Sequence, residues 1–343
     1  MTKPYSHALG PSVTRRTVLA GVAGVAAAAI LPSMAFAQAK AIRISTPGSA
    51  EEWQSKGLVK FKESLEAANP GMFDVQVHFN GTLFGQGTEI EAMQRGNLEV
   101  GMISPQDITE IIPEYSIFTT GYLMRDAAHL DAVYDGDIGK EYKARVEKDA
   151  QLHIVRSQYL GSRQVMLRTV RDVKVPADLA GLKLRMPGSE AWQFLGNALG
   201  ANATPLSFEE IYLALQTGTI DGLENPLSDI LSSKFYEVAK QIVLTDHMVS
   251  NTFFTMAGPF WDSLSPEEKA AIEKAEDEAK AFNDAGVLGT EKEAVAMLES
   301  NGVTVTTPDV AAFRAKVLDA FETSDFAKSW PAGMLDRIKA AKA

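Results

Sequence analysis

Two side chains suited to gripping an anion stand in the stretch 181–228, GLKLRMPGSEAWQFLGNALGANATPLSFEEIYLALQTGTIDGLENPLS. Arg185 lies in a short apolar alternation, 182–186, stopped by Pro187-Gly188, which reads as a strand delivering an arginine to a loop. Asn225 follows a second strand-like run, 219–223, that leads into Glu224-Asn225-Pro226. An arginine at a strand end offers a planar, permanently charged fork that bonds both oxygens of a carboxylate. An asparagine beside it adds one neutral donor and one acceptor. The chemistry this pair supports is capture of a small acid. The competing reading of Arg185 is a structural ion pair with an aspartate or glutamate.

The elements that position the pair are legible around it. After Pro187-Gly188 a helix is expected, capped by Ser189, with Trp192, Leu195 and Leu199 on one face and Gly200 past its end. Ser207 and Glu210 have capping-box spacing, Leu206 and Ile211 are placed to staple that turn, and Phe208, Ile211, Tyr212 and Leu215 form an apolar face ending at Gly218. Strand, helix, helix, strand brings two strand ends to one edge of a lobe. Ligands of open α/β sheets bind in the crevice beyond such ends.

The run GLKLRMPGS…ALGANATPLSFEEIYLALQTGTIDGLENP resembles the signature region of the solute-binding proteins of tripartite ATP-independent periplasmic (TRAP) transporters. The likeness extends at lower density over about residues 40–330. It implies an α/β, two-lobed periplasmic binding protein fold with a ligand cleft between the lobes and a long helix spanning both. It also implies that Arg185, in the G-x-K-[IL]-R motif, clamps a substrate carboxylate with Asn225 of D-G-x-E-N-P beside it. Leu223 departs from the family, which usually carries glutamine there.

Earlier in the chain, 41–45 and 74–79 read as strands, 51–68 as a helix, and NGTLFGQGTEIEAMQRGNLEVGMISP resembles the family's loop and following helix. Thr88 and Glu91 have capping-box spacing, and 98–103 reads as a strand ending at Ser104-Pro105. QRGNLE (94–99) echoes QTGTID (216–221), and each following strand ends in a polar residue before proline, Ser104 and Asn225. Two similar lobes facing a shared cleft are expected. Residues 126–150, with His129, read as solvated helix, and 152–158 as a strand followed by Tyr159–Arg163. In the family an arginine after such a glycine contacts substrate in some members, which makes Arg163 a second candidate. Glu51 and Trp53, just after the first strand, stand where the family contributes pocket residues, and Phe84 lies in the loop after the second. Trp192 reads as either lobe core or ligand contact, and the Tyr212 hydroxyl as able to reach the cleft.

Residues 229–240 read as helix and 252–256 as a strand. Ser265-Pro266 opens a helix running to 300, broken only at Gly286 and Gly289, and about 50 Å long if straight. A late strand, 303–306, and a helical tail, 308–341, complete the chain. The expected division is 38–160 plus 251–289 for the first lobe and 161–250 plus 290–343 for the second.

Residues 1–37 read as an export signal of twin-arginine type. Thr14-Arg15-Arg16-Thr17-Val18-Leu19 precedes an apolar run, 18–31, and the small-residue site Ala35-Phe36-Ala37, with cleavage before Gln38 or, alternatively, before Lys40. The run is too short to span a bilayer, so a periplasmic protein is expected. That segment holds three of the 33 basic residues and none of the 44 acidic ones, and the whole chain carries a net charge of −11. Such a surface disfavours nucleic acid and anionic membrane. There are no cysteines, so disulfides and thiolate metal sites are excluded. His7, His78, His129, His153 and His247 show no metal-pair spacing, and no nucleophile elbow or phosphate loop occurs. His247 reads as structural, and the acidic run 273–278 as solvated. No catalysis, cofactor or metal is expected. The resemblance implies the large and small TRAP membrane subunits as partners, a small organic acid as ligand, and a monomer as the commoner state. A sulfonate, a neutral polar solute, or a sensor-coupled role on the same scaffold are the alternatives.

Overall fold

The computed structural model describes residues 39–342. Nine strands form one continuous sheet: β1 Lys40–Ser45, β2 Phe73–His78, β3 Val100–Ile103, β4 Leu152–Leu167, β5 Lys183–Met186, β6 Asn202–Pro205, β7 Gly222–Pro226, β8 Gln241–Ala257 and β9 Thr304–Thr306. Their order is β2-β1-β3-β8-β4-β7-β5-β6, with β9 added alongside β8. The ends are parallel: β1 pairs with β2 and β3, and β5 with β6 and β7. Helices cross between these parallel strands, as parallel pairing requires.

The middle is different. β4 and β8 run antiparallel from Leu152 opposite Ala257 to Leu167 opposite Gln241. The far end of β8, at Phe253–Met256, completes the first sheet against β3, and its near end, at Gln241–Val243, pairs with β9. The far end of β4, at Arg163–Leu167, pairs with β7. Two long strands therefore thread both lobes. The strand expected at 152–158 runs on through Tyr159–Arg163 to Leu167, with register shifts near Tyr159/Gly161 and Arg163/Val165. Gly161 sits there at φ +127°, where a Cβ would lie 2.7 Å from the Pro226 side chain. Only glycine fits.

Each sheet half is packed on both faces. Ile42, Ile44, Leu58, Phe61 and Val75 form one first-lobe core, and Leu130, Tyr134, Tyr142, Ile154 and Phe253 the other. In the second lobe, Leu184, Met186, Leu195 and Phe313 pack on one face, and Ile211, Leu215, Leu223 and Ile242 on the other. The helix Pro266–Ser300 spans both lobes, with Ile272, Ala275 and Ala279 in a first-lobe core and Ala294 and Leu298 in a second-lobe core. Its start is a full capping box: Glu268 N–H donates to Ser265 Oγ at 3.2 Å, and Ser265 N–H to Glu268 Oε2 at 2.7 Å. The expected breaks at Gly286 and Gly289 are absent. Gly286 instead makes room for an indole, since a Cβ there would lie 2.2 Å from Trp53.

Other local expectations are corrected. Thr88 does not cap with Glu91; its hydroxyl donates to the Gly85 carbonyl at 2.8 Å, and Glu91 pairs with Arg95. The Ser189 hydroxyl is buried without a partner among the described residues. The helix expected at 229–240 ends sooner, at Leu227–Ser232, followed by a 3-10 turn at Phe235–Glu237. His129 is 1% exposed rather than solvated. Its Nδ1 accepts from Arg125 N–H at 3.1 Å, which leaves Nε2–H for the Ile338 carbonyl at 2.8 Å. The tail also divides. Phe313 and Val317 belong to a second-lobe core, whereas Met334 and Ile338 pack in a first-lobe core, against the expected placement of all 290–343 in the second lobe. Among the described residues no helix is long and apolar enough to cross a membrane. The export signal expected at 1–37 lies outside the described residues.

Candidate ligand cleft

A cavity of about 70 Å³ lies where the two lobes meet, and both arginines and Asn225 line it. Strand alternation explains the delivery of Arg185. In β5, Leu184 and Met186 point into the core on one face and send Arg185 to the other. It is 1% exposed. Its Nε donates to the Leu206 carbonyl at 2.8 Å, one Nη2–H goes to Gln86 Oε1 from the opposite lobe, and the guanidinium lies 5.9 Å from the Phe208 ring centre. Among the described residues it forms no ion pair, so the structural-pair alternative is not what its surroundings offer. Burial presses its pKa down to about 9. A guanidinium holds its proton at neutral pH all the same, leaving a buried cation with three N–H groups uncommitted.

Arg163 has the opposite status. Its Nε reaches Glu224 Oε2 at 2.6 Å and its Nη2 reaches Oε1 at 2.8 Å, a bidentate pair between two buried side chains. Its Nη2 also donates to Asn225 Oδ1 at 2.7 Å, and its guanidinium stacks 4.7 Å from the Trp192 ring centre. Burial alone would raise the Glu224 carboxyl. The Arg163 charge, with hydrogen bonds from His247 and Arg163, outweighs it and brings the group to about 2. His247 Nε2 lies 3.0 Å from Glu224 Oε2 and its Nδ1 2.8 Å from the Thr245 hydroxyl. His247 thus helps hold the charge pair in place.

Asn225 gains its orientation from this network. With Oδ1 taken by Arg163, its amide Nδ2 is left buried on the cavity wall and without a partner among the described residues. Arg185 and Asn225 together present donors with no acceptor of their own. Such an arrangement suits an anion that brings its own oxygens.

Ser104 and Trp192 also line the cavity. The Trp192 indole N–H donates to Ser104 Oγ at 3.4 Å, and Ser104 caps a short helix by a reciprocal box with Asp107. Trp192 belongs to a second-lobe core as well. The other candidates stand elsewhere. Glu51 is exposed and pairs with Lys56 at 3.4 Å, because the helix begins two residues later and turns Glu52 inward instead. Trp53 packs against Gly286 and donates to the Thr290 hydroxyl at 2.7 Å. Phe84 packs its ring on a first-lobe core and accepts from Ser45 Oγ through its carbonyl at 3.0 Å. Tyr212 donates to Glu237 at 2.7 Å beside a separate groove. Leu223 is wholly buried in core and forms no part of the cavity wall.

Sequence reasoning missed Glu52, Gln54, Gln86, Asp229 and the run Ser250-Asn251-Thr252, all on the wall. A signal for the last was present: three polar residues stand between Val249 and the apolar pair Phe253-Phe254. Gln86, between two glycines, carries no local signal of a pocket role.

A family model described as "Bacterial extracellular solute-binding protein, family 7" (DctP) matches residues 44–325. The chain belongs to that family. A solute-binding protein of Roseobacter denitrificans is 32% identical over 305 residues, covering 89% of this chain and 93% of that one. A crystal structure of a TRAP periplasmic solute binding protein from the same organism, with bound 3-deoxy-D-manno-oct-2-ulosonic acid, is 41% identical and superposes with a TM-score of 0.85 over 89% of this chain and all of that one. A crystal structure of a TRAP periplasmic solute binding protein from Sulfurospirillum deleyianum with bound succinate is 26% identical, with a TM-score of 0.81 over 88% and 99% of the two chains. Members of the DctP family are solute-binding proteins of transporters, not enzymes.

Proposed function

We propose that this protein is exported to the periplasm, captures a small organic acid in the cleft between its lobes, and delivers it to the large and small membrane subunits of a TRAP transporter. The observation that carries the reading is Arg185: a buried guanidinium on the cavity wall, unpaired among the described residues. Asn225, with its free Nδ2, is its neighbour in role, and Arg163, locked to Glu224, holds Asn225 in register. Family relatives with bound acids support the substrate class.

Delivery works by population shift. In the closed form the lobes touch through Arg185–Gln86, Trp192–Ser104 and the Glu190 N–H donating to Glu110 at 2.8 Å. A ligand bonded to both sides favours that form over the open one, and the membrane subunits recognise closure. Charge-assisted hydrogen bonds contribute about 1.5–3 kcal/mol each, and a micromolar ligand needs about 8 kcal/mol in all. The lobes in this proposal are 38–160 plus 251–289 and 161–250 plus 290–333, with the last helix returned to the first lobe.

The test is a thermal-shift screen with carboxylates, sulfonates and neutral isosteres. Ligand at a hundred times its Kd stabilises by about 2.7 kcal/mol, several degrees for a domain of this size. A carboxylate hit abolished in Arg185→Ala supports the reading. A hit indifferent to Arg185, or silence to every acid, overturns it.

A further inference from the structure

We infer that Glu52 and Asp229, one carboxyl from each lobe, form the hydroxyl-reading end of the cleft, so that the ligand is a monocarboxylate bearing hydroxyls at its far end and a second carboxylate there is rejected. This rests on the anion-binding reading of Arg185. Both side chains are buried and line the same cavity as that arginine. Glu52 immediately precedes the helix Trp53–Ala68, and Asp229 stands in the first turn of Leu227–Ser232.

Ser233 ties the two together. Its N–H donates to the Asp229 carbonyl at 3.0 Å, and its hydroxyl crosses the cleft to Glu52 Oε1 at 3.1 Å. Neither carboxyl forms an ion pair among the described residues. Glu52 Oε1 takes a second bond from Ser49 N–H at 3.3 Å, and Asp229 Oδ1 takes only the Ser228 hydroxyl at 3.4 Å. Glu52 Oε2 and Asp229 Oδ2 receive no donor from any described residue. A carboxylate accepts about four hydrogen bonds, so these two have capacity to spare on the cavity wall.

Hydroxyls are the neutral donors that fill such capacity. Burial and the nearness of Asp229 push the Glu52 carboxyl well up, and burial lifts Asp229 to about 7 against the pull of Arg163. Two carboxyls so placed do not both ionise readily, and a ligand carboxylate at this end would meet the same cost of burial beside whichever of them is charged. Arg185 draws the ligand's own carboxylate to the other end, where Gln86, Leu206 and Phe208 surround it. The buried, unpartnered Nδ2 of Asn225 on the same wall is an independent sign that a polar ligand completes this cavity.

The experiment is calorimetric titration of the intact protein, its Glu52→Gln, Asp229→Asn and Arg185→Ala variants, with 3-deoxy-D-manno-oct-2-ulosonic acid, L-galactonate and succinate. The wild type is expected to bind at least one of the two polyhydroxy acids more than about tenfold tighter than succinate, and both carboxyl variants to narrow that gap about tenfold, the effect of roughly one charged hydrogen bond. Melting curves confirm that each variant is folded. Equal affinity for succinate, a gap unchanged in both carboxyl variants, or no binding of either polyhydroxy acid overturns the inference. If Arg185→Ala weakens every acid while the other two variants leave selectivity intact, only the hydroxyl end is lost. If Arg185→Ala binds as well as wild type, the anion reading itself falls.

Discussion

Glu224 holds both near nitrogens of Arg163, Nε at 2.6 Å and Nη2 at 2.8 Å, in a pair shielded from solvent on both sides. Two arginines line one cavity, and this pairing separates their roles: Arg163 is neutralised within the protein, and Arg185 is not. Opposite consequences follow for their removal.

Glu224→Gln leaves Arg163 as a buried cation without its counter-charge. Breaking a buried pair from one side costs about 3–5 kcal/mol. Chemical denaturation monitored by circular dichroism should show a loss of that size, with the slope against denaturant unchanged.

Arg185→Ala should leave stability unchanged or slightly raised, because it removes a buried charge that forms no direct ion pair among the described residues, Glu224, Glu209 and Glu210 acting on it only at longer range. Ligand affinity should fall by about tenfold to several hundredfold, as one or two charge-assisted bonds are lost. Melting temperature and Kd, measured on the same preparation, should therefore move in unrelated directions. A parallel fall in both would mean that Arg185 holds the fold.

Glu276 is wholly buried in the long helix, and burial lifts its carboxyl to about 8 even as Gln158 donates to it at 2.7 Å. The native protein keeps this proton where the unfolded chain, near 4.5, has released it. Between about pH 4.5 and 8 the native state thus binds more protons, and stability falls as pH rises through that window. Glu224 acts in reverse: held at about 2, its contribution is present above about 4.5 and is lost as pH falls toward 2. The melting temperature should be several degrees higher near pH 5 than near pH 8.5, and Glu276→Gln should flatten that slope.

Gly286→Ala sets two known effects against each other. Alanine improves helix propensity by about 1 kcal/mol. The new methyl would meet the Trp53 ring at 2.2 Å, and overpacking of this kind costs about 1–3 kcal/mol. Net destabilisation is expected, together with a change in Trp53 fluorescence as the indole is displaced.

Much of this was legible in the sequence, for reasons that differ by element. The long helix carried its own capping box at Ser265 and Glu268, a local signal that tertiary packing did not alter. Arg185 and Asn225 were visible because their strands are short and end in proline-marked turns. Arg163 was visible as a candidate, but its bond to Glu224 joins residues 61 apart and has no local trace. Thr88 and Ser189 had suitable spacing and formed no caps, since competing partners or burial decided the hydroxyl's fate. Glu51 and Glu52 are the same residue type side by side, and only the helix's exact phase tells which faces inward. Pocket walls assembled from both lobes are the least readable part of such a chain.

The threading of β4 and β8 through both lobes bears on how the chain is made. The first-lobe sheet is complete only when Phe253–Met256 join β3, and these residues follow every strand of the β5–β7 group in the chain. No early segment emerging from a ribosome contains a finished lobe. Folding must wait for the last third of the polypeptide, and long-range pairing of this kind is slow. Truncation anywhere before residue 257 should therefore yield no half-protein that survives a protease, and neither lobe can be expressed as one uninterrupted stretch.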